Sequence, residues 1–300
     1  MGTSLKIDTV AAFCDFFGVN TLHPLVSVAR FEDYGTYPEA MMECGLYCIM
    51  YKEIHCGELK YGRSSYDYQS GTLLFTSPGQ KIGVASRNEG DRIYKGWILM
   101  FHPDLLYGTP LASMMRNFTF FSYDVNEALH MSDRERKIIL NCMDEIRGEL
   151  DNNMDRHTRK IVVSYIETML NHCTRFYERQ FITREISNRG IMGKLDRVLN
   201  EYFDSNRQDE EGIPTVQYCA AEVCLSPNYF GDLVKKETGH TASEYIQNFI
   251  IDRAKILLAH GEKNVSEIAY ELGFRYPHHL TRVFKKVTGR TPNEYKMSYN

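Results

Sequence analysis

The last third of the chain contains a stretch written twice. Pro227, Lys235, Lys236, Thr238, Gly239, Thr241, Glu244 and Tyr245 recur as Pro277, Lys285, Lys286, Thr288, Gly289, Thr291, Glu294 and Tyr295, at a constant offset of fifty positions. Upstream, Val216, Ala220 and Glu222 recur as Val265, Ala269 and Glu271 at an offset of forty-nine, so the second copy carries one extra residue in the intervening turn. A duplication that keeps proline, glycine and small-residue positions restricts both copies to one compact unit.

Each copy predicts a helix, a tight turn and a second helix. The first helices, Val216–Val223 and Val265–Leu272, carry Ala220 and Ala269 where a neighbouring helix approaches closely. The turns are Cys224-Leu225-Ser226 and Gly273-Phe274-Arg275-Tyr276, with Gly273 suited to a left-handed backbone. Proline opens the next helix, where its missing N–H is harmless. Phe230, Leu233 and Val234 in the first copy, and Leu280, Val283, Phe284 and Val287 in the second, form one inward face each. Both helices stop at Thr-Gly, and Thr241–Glu244 and Thr291–Glu294 read as capping boxes for the next helices. Ser243–Ala259 is a single amphipathic helix that bridges the copies.

This is the helix-turn-helix pattern, placed at about 216–237 and 265–287. Its second helix is the one that enters a major groove. The outward side then holds the base-reading candidates Asn228, Asp232, His278, His279, Thr281 and Arg282. Arg282 suits guanine, Asn228 suits adenine and Thr281 a thymine methyl. Lys235, Lys236, Lys285, Lys286 and Arg290 are the phosphate candidates. Residues 191–300 hold 14 Lys and Arg against 15 Asp and Glu, so binding must rest on clustered charge rather than net charge.

The 300 residues predict more than one domain. Residues 1–130 read as an antiparallel β-sandwich or small barrel. Short apolar stretches (Leu46–Tyr51, Glu58–Gly62, Thr72–Thr76, Lys81–Ala85, Trp97–Phe101) alternate with Gly and Pro turns. From Ser132 the period becomes helical. A capping box at Ser132–Glu135 opens one helix, and a second runs from about Asp155 to Thr183. This helical hairpin, spanning 131–187, either packs on the β domain or forms a dimer interface. Asn188-Arg189-Gly190 reads as a linker to an all-helical domain over 191–300, which has one acidic break at Asp209-Glu210-Glu211-Gly212. The fold class is therefore α+β.

No apolar run approaches the roughly 18 residues of a membrane-spanning helix. Val10–Phe17 is short and interrupted by Asp15, so no signal peptide is expected, and the chain reads as cytoplasmic. Eight cysteines are scattered, with Cys44-x-x-x-Cys48 the closest pair, and no zinc site is expected. His23, His55 and His102 are isolated, so no metal, cofactor or catalytic group is expected. The aromatic residues of the β region could line an apolar pocket. The effector-pocket candidates are Tyr51, Tyr66, Tyr68, Phe75, Trp97 and Arg63.

The C-terminal residues resemble the AraC/XylS family of transcription regulators. The resemblance lies in Ile268-Ala269-x-x-Leu272-Gly273-Phe274 and Leu280-Thr281-Arg282-x-Phe284-Lys285-Lys286-x-x-Gly289-x-x-Pro292-x-x-Tyr295. It implies a sequence-specific DNA-binding regulator with a cupin-like N-terminal module for effector binding and a helical hairpin for dimerisation. Asp232 and Gly231 depart from the usual pattern of the first motif, which implies backbone positioning there. The expected partners are double-stranded DNA, a small-molecule effector, a second copy of the chain and RNA polymerase, with no membrane. The alternative is a cupin-type small-molecule-binding protein or enzyme with a helical accessory domain.

Overall fold

The computed structural model describes residues 4–53, 71–84, 86–88, 95–124, 127–183 and 185–297. The chain divides into two compact units, Met1–Ile182 and Thr183–Asn300.

The first unit is a sandwich of two sheets covered on one side by helices. Its elements run β1 (Ser4–Ile7), α1 (Val10–Phe17), β2 (Val26–Arg30), β3 (Ala40–Cys44), β4 (Tyr47–Glu53), β5 (Thr72–Thr76), β6 (Gln80–Val84), β7 (Lys95–Phe101), α2 (Pro110–Met114), β8 (Leu129–His130), α3 (Asp133–Asp151) and α4 (Thr158–Thr183). One sheet has the order β1-β3-β6, and the other β2-β7-β4-β5-β8. Every pairing is antiparallel except β1 with β3. The expected Glu58–Gly62 strand lies outside the described residues.

Strand β7 shows why the apolar run at 96–101 is continuous rather than alternating. It is buried from Gly96 to Phe101 because both of its faces are covered. Ile98 and Met100 face the other sheet, in a core with Ala29, Met42, Cys44, Cys48 and the α1 residues Val10, Phe13 and Phe17. By alternation, Trp97, Leu99 and Phe101 face the helices. Strand β3 is half-covered, and its exposure alternates.

Ser132 and Glu135 cap α3 reciprocally, and Ile139, Met143, Ile146 and Leu150 form its buried stripe. α3 packs on β2, and α4 is tied to β8. The buried Gln180 accepts from His130 N at 2.8 Å and donates to the Ala128 carbonyl at 3.2 Å. Arg179 bridges Glu135 at 2.8 Å. The hairpin therefore packs on the β-sandwich. Along α4, Ile161 is exposed, whereas Val162 and Val163 are buried.

The second unit is entirely helical: α5 (Glu185–Asp204), α6 (Gln208–Glu211), α7 (Val216–Glu222), α8 (Pro227–Thr238), α9 (Ala242–His260), α10 (Val265–Glu271), α11 (Pro277–Thr288) and α12 (Pro292–Met297). The expected linker at 188–190 is helical instead, lying within α5. Buried Leu195 and Leu199 anchor this helix by their four-residue spacing, and Asn188 donates to Glu237 at 3.0 Å. Glycine within a helix is unfavourable by roughly 1 kcal/mol, too little to break such an anchored helix. α9 packs against α7, α8, α10, α11 and α12, and its Ile246, Ile250, Ile251, Ala254 and Leu258 are buried. No helix among the described residues is long and apolar enough to cross a membrane.

The two helix-turn-helix turns share a left-handed residue at equivalent places: Cys224 at φ +60° and Gly273 at φ +81°. Only the second is crowded. A Cβ at Gly273 would sit 2.8 Å from the Gly212 carbonyl carbon and 3.0 Å from Gln208 Cβ. Gly273→Ala is expected to lower stability by about 2–4 kcal/mol, through backbone strain and steric conflict. Cys224→Gly relieves the strain but loosens the unfolded chain, so its change stays within about 1 kcal/mol. Urea unfolding of both variants checks this. A Gly273→Ala protein as stable as the parent would contradict the packing described.

Candidate nucleic-acid interface

Each helix-turn-helix is built from local caps. Thr215 caps α7, accepting from Tyr218 N at 3.1 Å. Ser226 caps α8 in the same way, accepting from Tyr229 N at 3.3 Å. In the second copy Asn264 caps α10, accepting from Ser266 N at 2.9 Å and Glu267 N at 3.0 Å. α11 begins at Pro277 behind Tyr276, which gives no side-chain cap. α8 and α11 both end on left-handed glycines, Gly239 and Gly289, whose N–H groups donate to the Lys235 and Lys285 carbonyls at 2.9 Å.

Packing orients the second helices. α8 buries Tyr229, Phe230, Leu233 and Val234, and α11 buries Leu280 and Phe284. Ala220 and Ala269 are fully buried in the same core. Two positions differ from expectation. Tyr229 is buried although the spacing did not single it out. Val287 is exposed although it shares the inward stripe by angle. It lies in the last turn of α11, beyond Phe284, whose ring is covered by Tyr295 of α12 at 5.3 Å.

The outward sides carry most of the expected residues. Asn228, Lys235 and Lys236 are exposed on α8, where Gly231 and Asp232 are partly buried. His278, Arg282, Lys285 and Lys286 are exposed on α11, with His279 and Thr281 partly buried and Arg290 exposed just beyond. His278, Arg282 and Lys285 follow i, i+4, i+7 spacing, so they share one helical side. The Thr281 hydroxyl donates to the Pro277 carbonyl at 3.3 Å and is engaged within the helix. The ion pairs described in this unit join Arg253 to Asp204 (2.8 Å), Lys255 to Asp252 (2.8 Å) and Lys263 to Glu271 (2.7 Å). All lie off α8 and α11, so the cations of these helices stay outside the unit's described ion pairs.

Tyr276, at the N-cap of α11, is a further exposed residue beside the outward row. It is 51% exposed, and its ring lies nearly parallel to His278 with centroids 5.6 Å apart. His278 in turn meets His279 edge-on at 4.4 Å. Its signal in the sequence is an aromatic residue at an N-cap position where the first copy has Ser226.

Of the effector-pocket candidates, Tyr51, Phe75 and Trp97 lie among the described residues, and each packs against different neighbours. Trp97 lies under the guanidiniums of Arg30 (4.5 Å) and Arg147 of α3 (5.8 Å). Phe75 packs with Phe120, Phe121 and Tyr177 of α4. Burial pushes the Tyr51 phenol up, and the nearby Arg136 guanidinium of α3 partly offsets this. All three occupy the helix-facing side of the five-stranded sheet, because odd positions of β4 and β7 point that way and Phe75 of β5 stands opposite Ile49. Tyr66, Tyr68 and Arg63 lie outside the described residues, as does His55. His23 and His102 each accept a nearby backbone N–H, from Leu25 at 3.0 Å and Asp104 at 3.1 Å. Cys44 and Cys48 are buried with their sulfurs 4.0 Å apart. Among the described residues no group of three His, Cys, Asp or Glu side chains is placed to hold a metal.

Comparison with known proteins adds to this geometry. A family profile described as "Helix-turn-helix domain" matches residues 219–298. The arabinose operon regulatory protein of Salmonella typhimurium is 31% identical over 229 residues, covering 75% of this chain and 74% of that one. Its Escherichia coli counterpart is 24% identical over 246 residues, covering 80% and 76% respectively. An uncharacterised helix-turn-helix-type transcriptional regulator of Escherichia coli, YijO, is 26% identical over 146 residues. There the match covers 49% of this chain and about half of the relative, 48%.

The helices behind the reading elements depend on carboxylates. Glu244 accepts from Thr241 N at 3.0 Å, and Glu294 from Thr291 N at 2.7 Å. These bonds hold both carboxyls below the usual value of 4.5. A depressed native pKa adds stability above the unfolded value, and that stability is lost as pH falls through the native one. Thermal midpoints should therefore drop below pH 4.5, and less steeply in a Glu244→Gln, Glu294→Gln double variant. Equal slopes would show that the caps contribute nothing.

Proposed function

The chain belongs to the AraC/XylS family of helix-turn-helix transcription regulators, and from that premise we propose that residues 183–300 bind double-stranded DNA sequence-selectively. The observation that carries this reading is the exposed row His278, Arg282 and Lys285 on α11, held outward by buried Leu280 and Phe284. Arg282 offers a bidentate contact to guanine, and Lys285, Lys286 and Arg290 contact phosphates. On α8, Asn228 is the base-reading group, with Lys235 and Lys236 on phosphates. Asp232, carrying negative charge on that helix, disfavours close phosphate approach there and leaves Asn228 as the base-reading group of the first motif. α9 packs on both reading helices, so the two motifs would meet DNA as one body. Reading helices in successive major grooves require a separation of roughly 34 Å.

In the same reading the first unit regulates the second. A small-molecule effector bound in the β-sandwich would change DNA-binding competence, provided it binds the competent and incompetent states unequally. The outward side of the α3–α4 hairpin, with Cys142, Ile161, Ser164 and Tyr165 around a shallow groove, is the proposed contact with a second copy. RNA polymerase is the remaining proposed partner, and the chain acts in the cytoplasm without catalysing a reaction.

Selection of binding sites from genomic fragments with the purified full chain should return a defined sequence whose affinity falls with salt. Arg282→Ala should reduce discrimination at one base position by about 1–3 kcal/mol. Lys285→Ala should weaken all sequences alike and lower the salt slope by about one. Unchanged selectivity in Arg282→Ala would refute the assigned reading side.

A further inference from the structure

The side of the five-stranded sheet that faces the three-stranded sheet is packed unevenly. At one end Cys44, Cys48, Ile98 and Met100 are fully buried in the core between the sheets. Two and four residues along β4 from Cys48, on the same side by alternation, come Met50 and Lys52. Lys52 stands opposite Thr72 of β5 in the strand register, and Met50 opposite Leu74. Directly opposed residues on paired strands have adjacent side chains. The Lys52 ammonium and the Thr72 hydroxyl therefore share one end of this inner side. Met50 and Leu74 lie next to them, and Ile82 and Val84 come from the other sheet.

Three properties distinguish this end. Met50, Leu74, Ile82 and Val84 are only partly buried, although Met50, Ile82 and Val84 pack against the inter-sheet core. Thr72 is 4% exposed, and its hydroxyl has no hydrogen-bond partner among the described residues. Lys52 is partly buried and takes no part in any ion pair described in the first unit, where Lys6, Arg30, Arg136, Arg147 and Arg179 supply the Lys and Arg cations. Burial alone lowers the pKa of its ammonium. Glu53, the next residue, points to the other side of the sheet and meets Arg136 at 3.7 Å. A cation and a hydroxyl withdrawn from water, without partners among the described residues, are unfavourable unless something supplies those partners. A bound anion with an apolar body would do so.

We propose that the inner side of the β-sandwich binds a small monocarboxylate, its carboxylate accepting from Lys52 and Thr72 and its apolar body lying on Met50, Leu74 and Ile82. This rests on the reading that the first unit receives an effector, and it names the chemical class of that effector and the residues that recognise it. The ammonium and the hydroxyl both donate, which matches a carboxylate's acceptor-only oxygens. An alcohol or amide of the same skeleton keeps the apolar contacts but loses the charged pair.

The test uses the full chain and two matched pairs of probes, hexanoate with hexanol and benzoate with benzamide. A ligand that binds the native state raises the thermal midpoint in proportion to its occupancy. Hexanoate or benzoate should raise the midpoint of the parent and shift its DNA affinity, while the neutral partner should not. Lys52→Met keeps the apolar stem and removes a desolvated charge, so it should fold at least as stably. It should bind the carboxylate about tenfold more weakly or worse. Lys52→Arg should restore part of the response, which a purely structural role would not produce. Neutral probes acting as strongly as carboxylates, or an unchanged carboxylate response in Lys52→Met, would overturn the carboxylate assignment and leave the effector reading standing. If neither class moves the midpoint or the DNA affinity of the parent, both fall together.

Discussion

The second unit depends on one helix being buried against its neighbours. α9 contributes Ile246, Ile250, Ile251, Ala254 and Leu258 to a core shared with both helix-turn-helix copies. Ala220 and Ala269, fully buried in that core, let the first helix of each copy approach. A core closed in this way leaves little freedom to α8 and α11, because interiors pack at crystal-like density and rotate poorly. The direction of His278, Arg282 and Lys285 thus follows from apolar packing on the opposite side of α11, and their own polar groups need not hold them in place.

The two copies show how a duplicated motif diverges where its surroundings differ. The turn shape is the same in both, with a left-handed residue closing the first helix. Cys224 occupies this place in the first copy, where the turn is open to solvent. Gly273 occupies it in the second, where Gly212 and Gln208 press against the backbone. The same contrast appears at the N-caps. Ser226 satisfies a backbone donor in α8, whereas Tyr276 leaves α11 uncapped and instead adds an exposed aromatic ring beside His278. A cap is exchanged for a surface, and the surface lies where a ligand would be read.

The first unit is organised by sheet alternation. The five-stranded sheet separates two environments, one against the three-stranded sheet and one against α3 and α4. Tyr51, Phe75 and Trp97 fall on the helical side and fill a core. Lys52 and Thr72, one residue out of phase with Tyr51 and Leu73, fall on the other. A shift of one position moves a side chain from one environment to the other. The aromatic residues Tyr51, Phe75 and Trp97 therefore lie on the side of the sheet that packs against helices.

The helix-turn-helix repeat, its caps, its terminating glycines and most of its outward residues were legible from the amino-acid order. These features are local, since a cap or a left-handed glycine involves residues three or four apart. The hairpin helices and the Thr72–Thr76 strand were legible for the same reason. The continuation of α5 through 188–190 was not, because Leu195, Leu199 and the Asn188–Glu237 bond outweigh a weak local preference for a break. The exposure of Val287, the crowding at Gly273 and the burial of Tyr229 also required the fold, since each depends on what a distant segment covers. Tertiary structure alone placed the aromatic residues of the sheet against helices and set Lys52 opposite Thr72. Strand pairing joins positions far apart in sequence, and no periodicity within one strand reveals which face its partners will cover.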